Sequence, residues 1–463
     1  MKRGKQNNNM REMNPHAFIS LRYPLFFSVL ILYAIFCFLS TKVFAFEAKR
    51  TVLPNGLTVL QSENHNLPIV MITLMVKAGQ SHEPKEKAGI ANLAAALLTE
   101  GTKTRASKEI SEEIDFIGAS LNASAGNDST SITLSVLKKD VDKGFELFSD
   151  ILLNPVFPQT EIERGKDLVK GLLRQREEDP AFVAGRAFRS AVFGEHPYGR
   201  VVEGSPETID QIKRDDILKF YSDFFIPNNS ILSVSGDLSG EELNLLITKY
   251  IGGWEQSGMS EITLSKPDEK KTRKVIKIDR DLTQANIVLG NPGINRNNPD
   301  FYAVSVMNYI LGGGGFSSRL MQSVREEKGL AYDVHSFFAA QKDAGHFEIG
   351  VQTKNESANV TIEDIIRQIN RMRNEEVSDE ELSEAKSYLT GSFPRKLDTS
   401  RKIADFLASV EFYDLGLDYV EKYPAYINAV TKNDVLRVAK KYLDADNFTL
   451  VVVADQEKAK LKY

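Results

Sequence analysis

The spacing of apolar positions changes along the chain, and each spacing predicts an element. Residues 69–76 and 131–136 form short runs dominated by apolar and β-branched positions, which predict strands. Asn55-Gly56 separates Thr51-Val52-Leu53 from Leu57-Thr58-Val59-Leu60, a turn dipeptide between two strand-like runs, so a hairpin is expected there. Residues 87–98 are rich in Ala and Leu and predict a helix. Residues 162–176 and 378–389 carry apolar residues at helical spacing among abundant charge and predict two more. Helices that follow strand pairs imply α+β layers.

The pattern occurs twice. Asp216-Ile217-Leu218-Lys219-Phe220-Tyr221, Asn229 and Asp237 return as Asp434-Val435-Leu436-Arg437-Val438-Ala439, Asn447 and Asp455, each offset by 218 residues. Lys166 and Gly171 return as Lys386 and Gly391 at an offset of 220. Two copies of this size predict two similar domains rather than a solenoid. Residues 258–274, with Gly, Ser, Pro, mixed charge and few large apolar residues, read as the linker. The expected layout is a first domain over 46–257 and a second over 275–463.

Composition narrows the function. The chain has 463 residues, 42% hydrophobic and 26% charged, with a formal net charge of -5, the balance of a globular protein. Mixed charge of that sign gives no footprint for nucleic acid. Before the first domain, Lys2, Arg3, Lys5, Arg11 and Arg22 precede an apolar stretch over 25–39, and Val43-Phe44-Ala45 follows. This reads as an export signal with a cleavage site, or as an uncleaved anchor, over 1–45. The single cysteine, Cys37, lies within it, so a chain cleaved after Ala45 has no thiol chemistry and no disulfide. Export and the lack of an acid-poor organellar presequence make a bacterial periplasm the expected compartment. Membrane contact is expected only through an uncleaved N-terminal segment.

The stretch Gly89-Ile90-Ala91-Asn92-Leu93-Ala94-Ala95-Ala96-Leu97-Leu98-Thr99-Glu100-Gly101-Thr102 frames an inverted zinc motif, His-x-x-Glu-His, that has been erased. Asn92 and Ala96 stand at the two His positions and Ala95 at the Glu. Alanine has no donor atom, and an amide is a poor zinc ligand.

With Ser81-His82-Glu83, His196-Pro197-Tyr198-Gly199, Gly312 to Leu320 and Arg325-Glu326-Glu327-Lys328-Gly329-Leu330-Ala331-Tyr332, this framing resembles the pitrilysin or insulinase-like inverzincin peptidases. The resemblance runs from about Arg50 to the end and is nearest the short-chain branch that includes mitochondrial processing peptidase. It implies two homologous domains, each a mainly antiparallel sheet with helices packed on it, together forming half of a clam-like chamber. It also implies a third zinc ligand, a Glu, in the stretch Leu168-Val169-Lys170-Gly171-Leu172-Leu173, which holds no acid. A rebuilt site would need Glu100, Glu177 or Glu178 beside a histidine, yet His65, His82, His196, His335 and His346 are scattered without metal spacing. No metal is expected on this chain.

The resemblance implies that Arg325 and Tyr332, seven residues apart, match a pair that reaches across the cleft to hold the substrate backbone. Both can donate to a peptide carbonyl or to an oxyanion as it forms. Gly312, Gly313, Gly314 and Gly315 lack the ending of a nucleotide-binding loop. They read as a φ > 0 turn at the start of a helix, and by resemblance as a loop facing substrate. The expectation is a zinc-free subunit of a heteromeric exported peptidase acting on peptides or small unfolded proteins. Zinc is expected in a sister subunit with an intact His-x-x-Glu-His motif, in a heterodimer, although a homodimer is an alternative pairing. A non-catalytic binding or scaffold protein on the same fold is the alternative.

Overall fold

The expected hairpin forms in the computed structural model, which describes residues 47–258, 264 and 272–463. The expected export segment, 1–45, and most of the expected linker lie outside the described residues. Strands β1 (Lys49–Val52) and β2 (Thr58–Glu63) pair antiparallel from Lys49↔Gln61 to Val52↔Thr58. Gly56 turns the chain at φ +84°, and a Cβ there would lie 2.6 Å from that of Asn228. Conformation and space both require glycine.

With β3 (Ile69–Val76), β4 (Ser120–Ala125), β5 (Thr130–Leu137) and β6 (Ser230–Gly236), the hairpin completes a sheet of order β1-β2-β6-β3-β5-β4. Strands β7 (Lys274–Asp279), β8 (Gln284–Pro292), β9 (Ala331–Ala340), β10 (Gly345–Lys354) and β11 (Thr449–Ala454) form a second, of order β7-β11-β8-β10-β9. Pairs β2–β6 and β7–β11 are parallel and every other neighbouring pair is antiparallel. The run β2-β6-β3-β5-β4 thus has the connectivity of β7-β11-β8-β10-β9, parallel pair included. The internal repeat of the sequence is a repeat of sheet topology, and the fold is α+β with two such sheets.

Strands β6 and β11 are buried along their whole length, which explains their near-continuous small and apolar sequence. Alternate residues face different layers. Leu450, Val452 and Ala454 join the second sheet's own helical core, whereas Val451 and Val453 pack with Val183, Ala184 and Phe188. Those three belong to the Pro180–Phe193 helix, which follows the Gln159–Glu177 helix of the first half. The exchange is reciprocal. The Ser400–Phe412 helix of the second half lies on the first sheet, where Ser233 Oγ donates to the Ala404 carbonyl (2.7 Å) and Thr73 Oγ1 to Asp405 (3.0 Å). Arg50 adds a two-pronged pair with Glu411, both contacts 2.8 Å. On the other side Phe188 meets the His346 ring at 5.8 Å, and Gly290 leaves room for it, since a Cβ there would lie 2.8 Å from Phe188 Cζ and 1.9 Å from the Phe347 carbonyl. Each half therefore covers one face of the other's sheet, and Ala48–Tyr463 forms one compact unit.

The helix expected over 87–98 runs from Ile90 to Leu97. It starts late because Gly89 takes φ +97°, which separates it from a short turn at Lys85–Lys87. The helices expected over 162–176 and 378–389 form as Gln159–Glu177 and Asp379–Ser392, the second capped by the Ser378 side chain.

Candidate functional site

The Ile90–Leu97 helix is anchored by a buried carboxylate. Glu83 accepts from the backbone N–H of Gly89 (3.0 Å) and of Ala91 (2.8 Å), two donors that the helix start leaves without partners. Burial pushes its pKa up to about 7, against the opposing pull of those N–H groups and of Arg200. Glu83 thus fixes the helix on which a zinc motif would sit.

Positions 92, 95 and 96 share one helical face. Asn92 is half-buried, Ala95 is fully buried and Ala96 is exposed. The Gln159–Glu177 helix packs here through Gly165, where a Cβ would lie 3.1 Å from Leu93 Cδ1. Three and seven residues further on, Leu168 and Leu172 are exposed where an acidic ligand is expected by resemblance. An amide, methyl groups and leucines replace a donor set. Among the described residues no group of three or more His, Cys, Asp or Glu could hold a metal ion.

Most of the side chains that could rebuild a site have other partners, although Glu178 has no side-chain hydrogen bond or ion pair among the described residues. Glu100 accepts from Ser107 (2.7 Å) and Arg164 (2.5 Å), and Glu177 pairs with Arg186 (2.9 Å). His65 is tied to Asp237 (2.6 Å) and His335 to Asp333 (2.8 Å). His82 contacts Ser81 Oγ, and His196 accepts from the Tyr198 N–H; burial lowers both pKa values, so both rings stay neutral at physiological pH. His346 is buried beside Glu348 at 3.3 Å. The His196-Pro197-Tyr198-Gly199 segment is a packed loop with Tyr198 only 1% exposed.

In the second half the structure gathers what the sequence separates. Arg325 sits in a widened helical stretch, Met321–Glu327, and Tyr332 near the start of β9. Gly329 takes φ +59° and turns the chain back, while Gly329 and Leu330 N–H groups donate to the carbonyls of Arg325 and Val324, both at 2.9 Å. Thr353 Oγ1 clamps the turn by donating to the Leu330 carbonyl (2.6 Å). Tyr332 is thereby laid beside Arg325, whose guanidinium carbon is 4.6 Å from the Tyr332 ring centroid and 4.7 Å from that of Phe316. Tyr332 is 82% and Phe316 65% exposed. Phe316 is a member that sequence reading missed; its only signal was its place directly after the glycines.

The glycine run behaves differently from a simple turn at a helix start. Gly312 and Gly313 end a widened helical stretch, Tyr309–Gly313, and of the four glycines only Gly315 takes positive φ, +58°. Gly312 is buried against β9, where a Cβ would lie 2.5 Å from Ser336 Oγ. Its role is close packing that lets Gly315 aim Phe316 outward. Beside Tyr332 a cavity of about 550 Å³ opens between Ala181 and Ala184 of the exchanged helix and Asn286, His335 and Glu348 of the second sheet. Among the described residues no hydrogen bond, ion pair or ring contact joins Arg325 or Tyr332 to the face of Asn92 and Ala96.

With this geometry in view, known proteins give consistent matches. The family model described as "Insulinase (Peptidase family M16)" matches residues 58–205, and "Peptidase M16 inactive domain" matches 211–389. A Rickettsia bellii protein named "Uncharacterized zinc protease" is 30% identical over 340 residues, 73% of this chain and 81% of that one. A Helicobacter pylori protein named "Non-peptidase homolog YmxG" is 27% identical over 404 residues, 87% of this chain and 93% of that one. The crystal structure of a peptidase M16 inactive domain from Pseudomonas fluorescens superposes with a TM-score of 0.82 at 26% identity, covering 88% of this chain and 98% of that one. The chain belongs to peptidase family M16, the insulinase family.

Proposed function

We propose that this chain is the zinc-free subunit of an exported two-subunit zinc peptidase, lending Arg325 and Tyr332 to a site whose metal a sister chain holds. The observation that carries this reading is the Arg325, Tyr332 and Phe316 cluster, a half-buried guanidinium held between two exposed rings, in a chain whose face at Asn92, Ala95 and Ala96 has no zinc donors. Hydrolysis through zinc needs a held metal and a placed base. With Ala95 and Ala96 at those positions, this chain supports peptide hydrolysis only beside a partner with an intact His-x-x-Glu-His helix. The guanidinium and phenol would hold the scissile peptide and donate to the oxyanion. Peptides or small unfolded proteins fit that role, because backbone is what both groups recognise. The zinc protease name of the Rickettsia relative supports the peptidase setting, and the basic and then apolar N-terminal sequence supports export.

A pair reconstituted from this chain and its zinc-bearing partner tests the proposal. Arg325→Ala and Tyr332→Phe are expected to lower turnover on the order of a hundredfold each, as for loss of one oxyanion donor, with assembly intact by size-exclusion chromatography. A second reading, a non-catalytic scaffold, is favoured by the non-peptidase name of the Helicobacter relative. It predicts that both variants run at the wild-type rate.

A further inference from the structure

A second cavity, of about 730 Å³, shares no lining residue with the one beside Tyr332 and lies among the Phe301–Asn308, Ser400–Phe412 and Tyr419–Ala429 helices. Its lining combines aromatic rings with four basic side chains, of which only Lys402 is paired with a carboxylate, that of Asp398, among the described residues. Arg296 stacks on Phe301 at 3.8 Å, with Tyr419 and Tyr413 at 5.6 and 5.9 Å. Its Nη2 donates to Tyr419 Oη (2.9 Å), while Nε and Nη1 have no acceptor among the described residues. Lys396 lies at the rim with its ammonium 5.8 Å from the Phe393 ring. Among the described residues neither Arg296, Arg395 nor Lys396 is in an ion pair. The one carboxylate in the lining, Asp405, accepts from Thr73. Burial, and then the charge of Arg296, lower the Lys396 pKa, as expected for two cations facing one space without a counter-ion.

Ring platforms around a pinned guanidinium with unused donors call for a ligand that supplies both a flat apolar body and an anion. A planar carboxylate matches the fork of an arginine, and stacking already fixes that fork in place. The volume suits a small molecule or the last two residues of a peptide. We propose that this cavity binds an aromatic carboxylate, its acid group held by Arg296 and Lys396 and its ring among Phe301, Phe393 and Tyr419. The source is either a free aromatic acid or a peptide C-terminus ending in an aromatic residue.

The full chain is titrated with the fluorescent aromatic anion 8-anilinonaphthalene-1-sulfonate. The bound probe is then displaced with 3-phenylpropanoate, with acetyl-Ala-Phe as the free acid, and with its C-terminal amide. Saturable displacement by the acids and at least tenfold weaker displacement by the amide are expected. Stronger displacement by the peptide acid than by phenylpropanoate assigns the source to a chain end, and the reverse assigns it to a free acid. Arg296→Gln and Lys396→Gln are each expected to weaken acid binding about tenfold or more; Lys396 stands at the rim of the cavity and outside the core, so its variant reports even if Arg296→Gln misfolds. Acid and amide binding alike, displacement by neither acid, or unchanged acid binding in Lys396→Gln would overturn the proposal.

Discussion

The guanidinium of Arg325 lies 4.6 Å from the ring of Tyr332, held there by a turn at Gly329 rather than by the regular path of a helix or a strand. The pair is therefore a product of backbone geometry. Phe316 closes the other side at 4.7 Å, so the cation is sandwiched between two exposed rings. Such a stack holds a long side chain in one orientation before substrate arrives, which reduces the entropy lost on binding.

Removing one wall of that sandwich has a graded effect. Phe316→Ala leaves both donors in place but frees the guanidinium, so it is expected to reduce kcat/KM of the reconstituted pair by about fivefold, the worth of roughly 1 kcal/mol of cation–π contact. Arg325→Lys keeps the charge but loses the planar fork and is expected to fall below Phe316→Ala. Steady-state kinetics on the two variants checks the order.

The exchanged helices make the two halves interdependent. Phe188 is fully buried between the Pro180–Phe193 helix and the second sheet, so Phe188→Ala is expected to destabilise the chain by about 3–5 kcal/mol. Chemical denaturation checks this and should show one transition, since each half completes the other. Residues 46–257 expressed alone are expected to aggregate, and co-expression with 275–463 to restore soluble protein.

Glu83 gives the fold a pH signature. Its pKa rises from 4.5 to about 7, so the folded state favours the protonated form. The stability this contributes is fully present below about pH 4.5 and is lost as pH rises through 7. Glu83→Gln removes the titration. The stability difference, wild type minus variant, is expected to fall by roughly 3 kcal/mol between pH 4.5 and 7.5. Urea denaturation of both proteins across that range measures it, and a flat difference contradicts the assignment.

Much of this was legible in the sequence because it depends on local pattern. The hairpin at Asn55-Gly56 and the helices expected over 162–176 and 378–389 follow from turn chemistry and periodicity, and the duplication from residues that recur at an offset of 218. The loss of donors at Asn92, Ala95 and Ala96 needed only a frame to compare against. What stayed hidden depends on contacts distant in sequence. Nothing in the Pro180–Phe193 helix says that its apolar face belongs to the other sheet, since a stripe of Val183, Ala184 and Phe188 suits either one. The late start of the Ile90–Leu97 helix came from φ at Gly89, and the role of Glu83 from its reach to that helix start. Phe316 joined the site only because Gly315 turned it outward beside Arg325.

In the proposed function this chain works beside a zinc-bearing sister. The most direct measurement is affinity isolation of the tagged chain from its native cell envelope, with mass spectrometry of what accompanies it. A stoichiometric family M16 chain carrying an intact His-x-x-Glu-His motif is the expected companion. Recovery of this chain alone, or only with unrelated membrane proteins, would contradict the proposed function.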